Sequence, residues 1–185
     1  MTRTSSPTQM GRKRNHHPNA FIGLSPELAK GAVQILNRVL ADEIVLYAKT
    51  RDYHWNVAGR RFHDLHLFFE SHYEELAKIG DSVAERARAL GGAARGTLAE
   101  ALAVTRLKET PDHNLPAGEM VENLLEDHET IIRHLREDIE TCDQKFHDMG
   151  TNNFLTDLME QHEKMAWMLR ACREEREIPR QPERN

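Results

Sequence analysis

Cysteine is almost absent: Cys142 and Cys172 are the two in 185 residues, far apart and with no Cys-x-x-Cys. That excludes a disulfide framework and a cysteine zinc site, and a reducing compartment is expected. No stretch offers 18 uncharged apolar residues, and the arginines near the N-terminus are followed by no apolar run. Neither a membrane span nor a signal peptide is therefore expected. Aromatics make up 6%, and the 10 glycines and 7 prolines are scattered, which speaks against an all-β sandwich and a low-complexity fibre. What is left is one helical domain, long enough to bury a sizeable core and expected in the cytoplasm.

A further absence divides the chain by charge. Residues 1–24 hold Arg3, Arg12, Lys13 and Arg14 and not one acid. The other 21 basic residues face all 30 acids, so a +4 arm precedes a body of −9, although the whole chain is only −5. Ser, Thr, Pro, Asn and His dominate the arm before Phe21-Ile22, a composition that expects a mobile segment. Its plain reading is a solvated tail, and its functional reading is a polyanion-binding arm that neutralises phosphates and weakens steeply with salt. Four charges gain force when many arms are displayed together, because linked weak contacts multiply through effective concentration.

Residues 25–175 read as four long helices. Ser25-Pro26-Glu27 supplies a cap acceptor, a proline at the first helical position and an acid in the first turn. Helix A then runs to about Val57, with Leu28, Ala32, Ile35, Val39 and Leu46 in steps of four and three that break at Asp42. Helix B carries Phe62, Leu65, Phe69, Leu76, Val83, Ala87 and Leu90, and Gly91-Gly92 stops it. A short helix is expected near Thr97–Lys108, before Pro111 and Pro116 forbid continuation. Helix C is expected over about Ala117–Asp148, ended by Gly150, and helix D over about Thr151–Glu175, followed by an irregular tail at 176–185. Short A–B and C–D connections make those pairs antiparallel, and the long B–C segment suggests a single crossover. The fold class is all-α, a ferritin-like four-helix bundle with a short helix in the B–C connection.

Helix B carries a second stripe, His66, Glu70, Asp81 and Glu85, in two i, i+4 pairs. Mixed imidazole and carboxylate donors suit a hard or borderline divalent ion such as iron or manganese. Either pair alone is ordinary helix surface. Glu70 and Asp81 lie about 16 Å apart along the axis, too far for one compact site built on ligand bonds of about 2 Å. The stripe also sits about 100° from the core-facing one. Both facts point to an intersubunit site, where two helices B run antiparallel about a two-fold axis. His54, near the end of helix A, is placed to join His66 across the turn, or to serve only as a helix-end imidazole favoured by the dipole. No histidine has a glutamate three residues before it, which disfavours the Glu-x-x-His diiron site inside one ferritin bundle.

The run Leu40–Gly92 closely resembles the Dps family of mini-ferritins. The resembling residues are Tyr53-His54-Trp55-Asn56-Val57-x-Gly59, Phe62, Leu65-His66, Phe69-Glu70, Asp81-x-x-Ala84-Glu85-Arg86 and Leu90-Gly91-Gly92. The resemblance implies a hollow cytoplasmic homododecamer that oxidises Fe(II), preferably with hydrogen peroxide, stores ferric mineral and protects DNA from oxidative damage. It implies that His54, His66 and Glu70 come from one subunit and Asp81 and Glu85 from its two-fold partner. Position 70 varies between Asp and Glu across the family, and Trp55 matches an aromatic beside the site that takes up oxidising equivalents.

Other residues carry subordinate readings. Asp143, Asp148 and Asp157 near the C–D junction are pore candidates, or ordinary solvated helix-end acids. A negative interior and pores concentrate incoming cations. His128 and His162 lie on core stripes and are expected as hydrogen-bonded core histidines. Met120, Met149, Met159, Met165 and Met168 are expected to pack, while His63, His72 and His16-His17 are further imidazoles able to capture metal. The rival to an iron-oxidising store is a DNA-condensing nucleoid protein with little catalysis, working through Arg3, Arg12, Lys13 and Arg14. A third reading is a helical oligomer whose stripe holds zinc or nothing.

Overall fold

A computed structural model describes residue 20, residues 22–112 and residues 114–173. The arm residues Arg3, Arg12, Lys13 and Arg14 and the tail at 176–185 lie outside the described residues. Five helices follow in order: α1 Pro26–Asn56, α2 Phe62–Ala89, α3 Leu98–Val104, α4 Ala117–Gln144 and α5 Met149–Ala171. Among the described residues there is no strand, and no helix is long and apolar enough to cross a membrane. The α1/α2 and α4/α5 pairs pack side by side as hairpins, and the long connection carries α3 across α1. The all-α ferritin-like bundle expected from the sequence is the fold observed.

Burial follows the apolar stripes. Leu36, Leu46 and Tyr53 of α1, Leu65, Phe69 and Leu76 of α2, Leu124, Ile131 and Leu135 of α4 and Leu155 of α5 are all fully enclosed. At about 25 cal/mol per Å² of apolar surface, this shared core is what makes helices of this length stable in water. Ser25 caps α1 by accepting from the Leu28 amide at 3.3 Å. Two close approaches need glycine: a β-carbon at Gly31 would meet Phe146 at 2.4 Å, and one at Gly92 would meet Val33 at 2.4 Å.

The break at Asp42 proves to be a staple. Asp42 is fully buried and accepts from the Arg106 amide at 2.7 Å, Arg106 Nε at 2.7 Å and Thr105 Oγ1 at 2.9 Å. Arg106 also donates to Asp138 of α4 at 2.8 Å. Asn37 holds the same connection further up by donating to the Ala93 carbonyl and accepting from the Arg95 amide. Lys49 holds it further down by donating to the Lys108 carbonyl at 2.6 Å and to Asp127 at 2.5 Å. These contacts end α3 at Val104, short of the expected Lys108, because residues 105–108 turn in to meet α1.

The α4/α5 turn also departs from expectation. Helix α4 ends at Gln144 rather than Asp148, and Gly150 sits inside the first turn of α5 rather than ending α4. Asp148 decides this as the cap of α5, accepting from the Thr151 amide at 3.0 Å and from Arg86 of α2 at 3.1 Å. His147 takes a positive φ of 53° to make the corner. Asp148 is thus buried and ion-paired, which corrects its reading as a pore acid: it presents no free carboxylate. Asp143 and Asp157 face solvent.

Candidate metal centre

The site starts at the α1/α2 hairpin. His54 stands in the last turn of α1 and His66 in the second turn of α2, and Gly59, at φ 104°, helps turn the chain back between them. The two imidazoles stack at 3.8 Å with their planes 21° apart. Each Nδ1 lies 2.8 Å from the main-chain carbonyl of the other histidine. A carbonyl oxygen only accepts, so both Nδ1 atoms carry the proton and both Nε2 atoms carry the lone pair. That arrangement fixes tautomer and ring orientation as a metal-ligating histidine requires. It leaves Nε2 as the atom on each ring with a lone pair that could take a metal.

Glu70 follows one turn along the same face, half-buried, and accepts from the Tyr73 hydroxyl at 3.3 Å. Partial burial and then the Glu70 charge hold the Tyr73 hydroxyl above its ordinary value, which keeps it a proton donor to that carboxylate. Tyr73 also meets the His54 ring edge-on at 5.2 Å, and Phe62 stacks on His66 at 5.1 Å. The Arg51 guanidinium lies over Trp55 at 5.1 Å and over Tyr47 and Tyr73 at 5.8 Å. Trp55 itself is 61% exposed. Sequence reading missed Tyr73 and Arg51. The signal was there for Tyr73, which stands seven residues after His66 and three after Glu70 on one helical face.

Asp81 and Glu85 are exposed on the outward side of α2, about three and four turns beyond Glu70. Their end of the helix is anchored by Arg86, which donates to Thr151 and Asp148 of α5. Among the described residues, no three His, Cys, Asp or Glu side chains converge on one point. The chain therefore brings His54 and His66 into contact, sets Glu70 one turn further along the same face of α2, and holds Asp81 and Glu85 apart from them.

His128 and His162 are core histidines and hydrogen-bonded, Nδ1 to Nδ1 at 2.9 Å, with His162 Nε2 against Glu43 at 3.0 Å. Burial pushes His128 well below its ordinary value, with the charges of His162 and His72 adding to it, and burial pushes His72 down to about 4. Both return to about 6.5 on unfolding. The unfolded chain then binds more protons below that pH, so their contribution is full above about 6.5 and lost as pH falls towards 4. His72 alone costs roughly 2 kcal/mol at about pH 5. Thermal melts followed by circular dichroism should show a lower midpoint at that pH than at neutrality, and His72→Leu should flatten the difference. An equal slope in wild type and variant would contradict the assignment.

The sequence profile described as ferritin-like domain matches residues 33–177. A low temperature-induced protein of Nostoc sp. is 45% identical over 154 residues, covering 83% of this chain and 86% of its own. DNA protection during starvation protein 2 of Bacillus anthracis is 36% identical over 142 residues, covering 77% and 96%. The crystal structure of a Dps protein from Vibrio cholerae O1, described as a member of a broad superfamily of ferritin-like diiron-carboxylate proteins, superposes with a TM-score of 0.77. The two are 30% identical over 82% of this chain and 94% of that one.

Proposed function

The chain belongs to the Dps mini-ferritins within the ferritin-like domain family, and from that premise we propose that it sequesters iron and oxidises Fe(II) at sites shared between two subunits. The observation that supports this most is the reciprocal His54/His66 pair, two imidazoles locked through Nδ1 so that each keeps its lone pair on Nε2. With Glu70, one turn along the same face, they would supply half of a ligand shell. Asp81 and Glu85 of a two-fold partner would supply the other half, since an antiparallel copy of α2 brings each end of one stripe to the opposite end of its neighbour.

Iron is the substrate here, and hydrogen peroxide the oxidant. Two Fe(II) each give one electron, the O–O bond breaks, and with two protons the products are two Fe(III) and two waters. Pairing the irons delivers both electrons at once and avoids a hydroxyl radical. The carboxylates favour the higher charge after oxidation, while the imidazoles hold the incoming Fe(II). Tyr73 fixes the Glu70 carboxylate, and the Trp55–Arg51–Tyr47 stack offers an oxidisable aromatic path beside it. Ferric product then hydrolyses and is stored inside a homododecamer. The test is anaerobic loading of metal-free protein with about two Fe(II) per chain, the count expected of a two-metal site, and then addition of peroxide. Rapid growth of ferric absorbance supports the proposal; a rate equal to that of free Fe(II) would sink it.

The charge division favours DNA binding as a second activity. In a dodecamer the arms would present about 48 cationic charges to phosphates. Neutralising Arg12, Lys13 and Arg14 is expected to abolish a low-salt gel shift while iron oxidation persists. An unchanged shift would remove the arm from the account.

A further inference from the structure

A second set of donors lies inside the bundle, away from the iron stripe. Glu43 of α1, His72 of α2, His128 of α4 and His162 of α5 are each no more than 3% exposed. Glu43 Oε1 meets His162 Nε2, His162 meets His128, and His72 meets the His128 ring edge-on at 5.9 Å. The carboxylate oxygen only accepts, so His162 Nε2 donates. With both rings neutral, His128 then donates from Nδ1 to His162, and its own Nε2 is left as a bare lone pair.

Among the described residues nothing uses that lone pair. Of the five buried polar side-chain atoms without a partner among the described residues, four are His128 Nε2, both ring nitrogens of His72 and Glu43 Oε2. Such a concentration of unmet groups calls for an occupant. A route to it exists, because His72 lines a half-open cavity of about 260 Å³ between α2 and α5, together with Met165, Met168 and Glu75. Met165 is nearly buried, at 5%, and Met168 lies one turn further along the same helix face.

We propose that the floor of this cavity is a site for one soft transition-metal cation, Cu(I), taken by the His72 imidazole and the Met165 thioether, with His128 Nε2 behind them. The donor chemistry selects the ion. Among the described residues no three His, Cys, Asp or Glu side chains converge here, so they supply neither the oxygen-rich shell of iron nor the four-ligand shell of zinc. Thioether and imidazole donors in low number suit Cu(I). The half-satisfied Glu43 carboxylate, relayed through His162 and His128, supplies negative charge to balance the cation. Methionines that sequence reasoning assigned to packing thereby gain a second role.

The full-length metal-free protein should be titrated anaerobically with Cu(I) in competition with bicinchoninate, a chromogenic Cu(I) chelator. One Cu(I) per chain is expected, with both nitrogen and sulfur neighbours in its X-ray absorption spectrum. Met165→Leu and His72→Leu should each weaken retention roughly 10-fold or more, while retention persists in Cys172→Ser and in the His66→Ala, Asp81→Ala chain. Met165→Leu conserves volume and apolarity, and His72→Leu removes two orphaned nitrogens, so both should fold. If either does not, the sulfur signal in the wild type decides. Loss of copper to the chelator, equal retention in both variants, a sulfur signal that vanishes with Cys172→Ser, or a water in place of copper in a copper-loaded crystal would overturn the site. Because iron oxidation is read separately, failure here leaves the iron assignment standing.

Discussion

Replacing His66 and Asp81 with alanine in one chain is expected to slow peroxide-driven Fe(II) oxidation by more than roughly 100-fold, beyond the loss typical of supporting residues around a metal. The two single variants make a sharper test. If one site takes His54, His66 and Glu70 from one chain and Asp81 and Glu85 from its two-fold partner, each single variant spoils every site in its own homo-oligomer. Unfolding both, mixing them in equal amounts and refolding gives mixed dimers in half the cases. In each of these, one site collects both defects and the other is intact. About a quarter of wild-type activity should therefore return. Stopped-flow absorbance of the ferric product reads this directly. No recovery in a mixture shown to exchange subunits would place the five residues in one chain's site, or outside the chemistry.

Asp42→Ala is expected to cost about 3 kcal/mol, at the lower end for breaking a buried ion pair, because Asp138 still holds Arg106. The variant removes the acceptor of the Arg106 amide, of Arg106 Nε and of Thr105 Oγ1 at once. At this chain length that corresponds to a melting temperature lower by about 6 to 12 °C. Asp42→Asn keeps one carbonyl acceptor and should lose less. Adding Arg106→Leu to Asp42→Ala should deepen the loss, since buried Asp138 is then left with only Arg38, at 3.5 Å, as its partner among the described residues. Differential scanning calorimetry separates the three. A midpoint unchanged in Asp42→Ala would show that the crossover is held without this staple.

Helix α1 shows how much of such a network was legible. Its cap at Ser25, its proline start and its apolar steps are local signals and mark the helix within a residue or two. The same reading saw Asp42 only as an interruption. Its partner stands 64 residues away on a segment with no periodicity of its own, and nothing in the neighbouring sequence names it. Asn37 and Lys49 were silent for the same reason. The α4/α5 corner failed differently. Gly150 looked like a helix stop, yet Asp148 had the stronger claim as a cap, and Arg86 of α2 secured it there.

The candidate metal centre divides along the same line. Residue spacing alone established four amphipathic helices, the His66/Glu70/Asp81/Glu85 stripe, its offset from the core face and the length that separates its halves. These are consequences of a 3.6-residue turn and a 1.5 Å rise, so they are written in the chain wherever the helix forms. The stacking of His54 on His66, the exchanged carbonyl bonds that leave the lone pair on both Nε2 atoms and the Glu43–His162–His128 relay were decided only when helices packed. A hydrogen bond between side chains on different helices depends on the distance and angle between their axes, which whole-core packing sets. Periodicity places a residue on a face; tertiary packing chooses what that face meets.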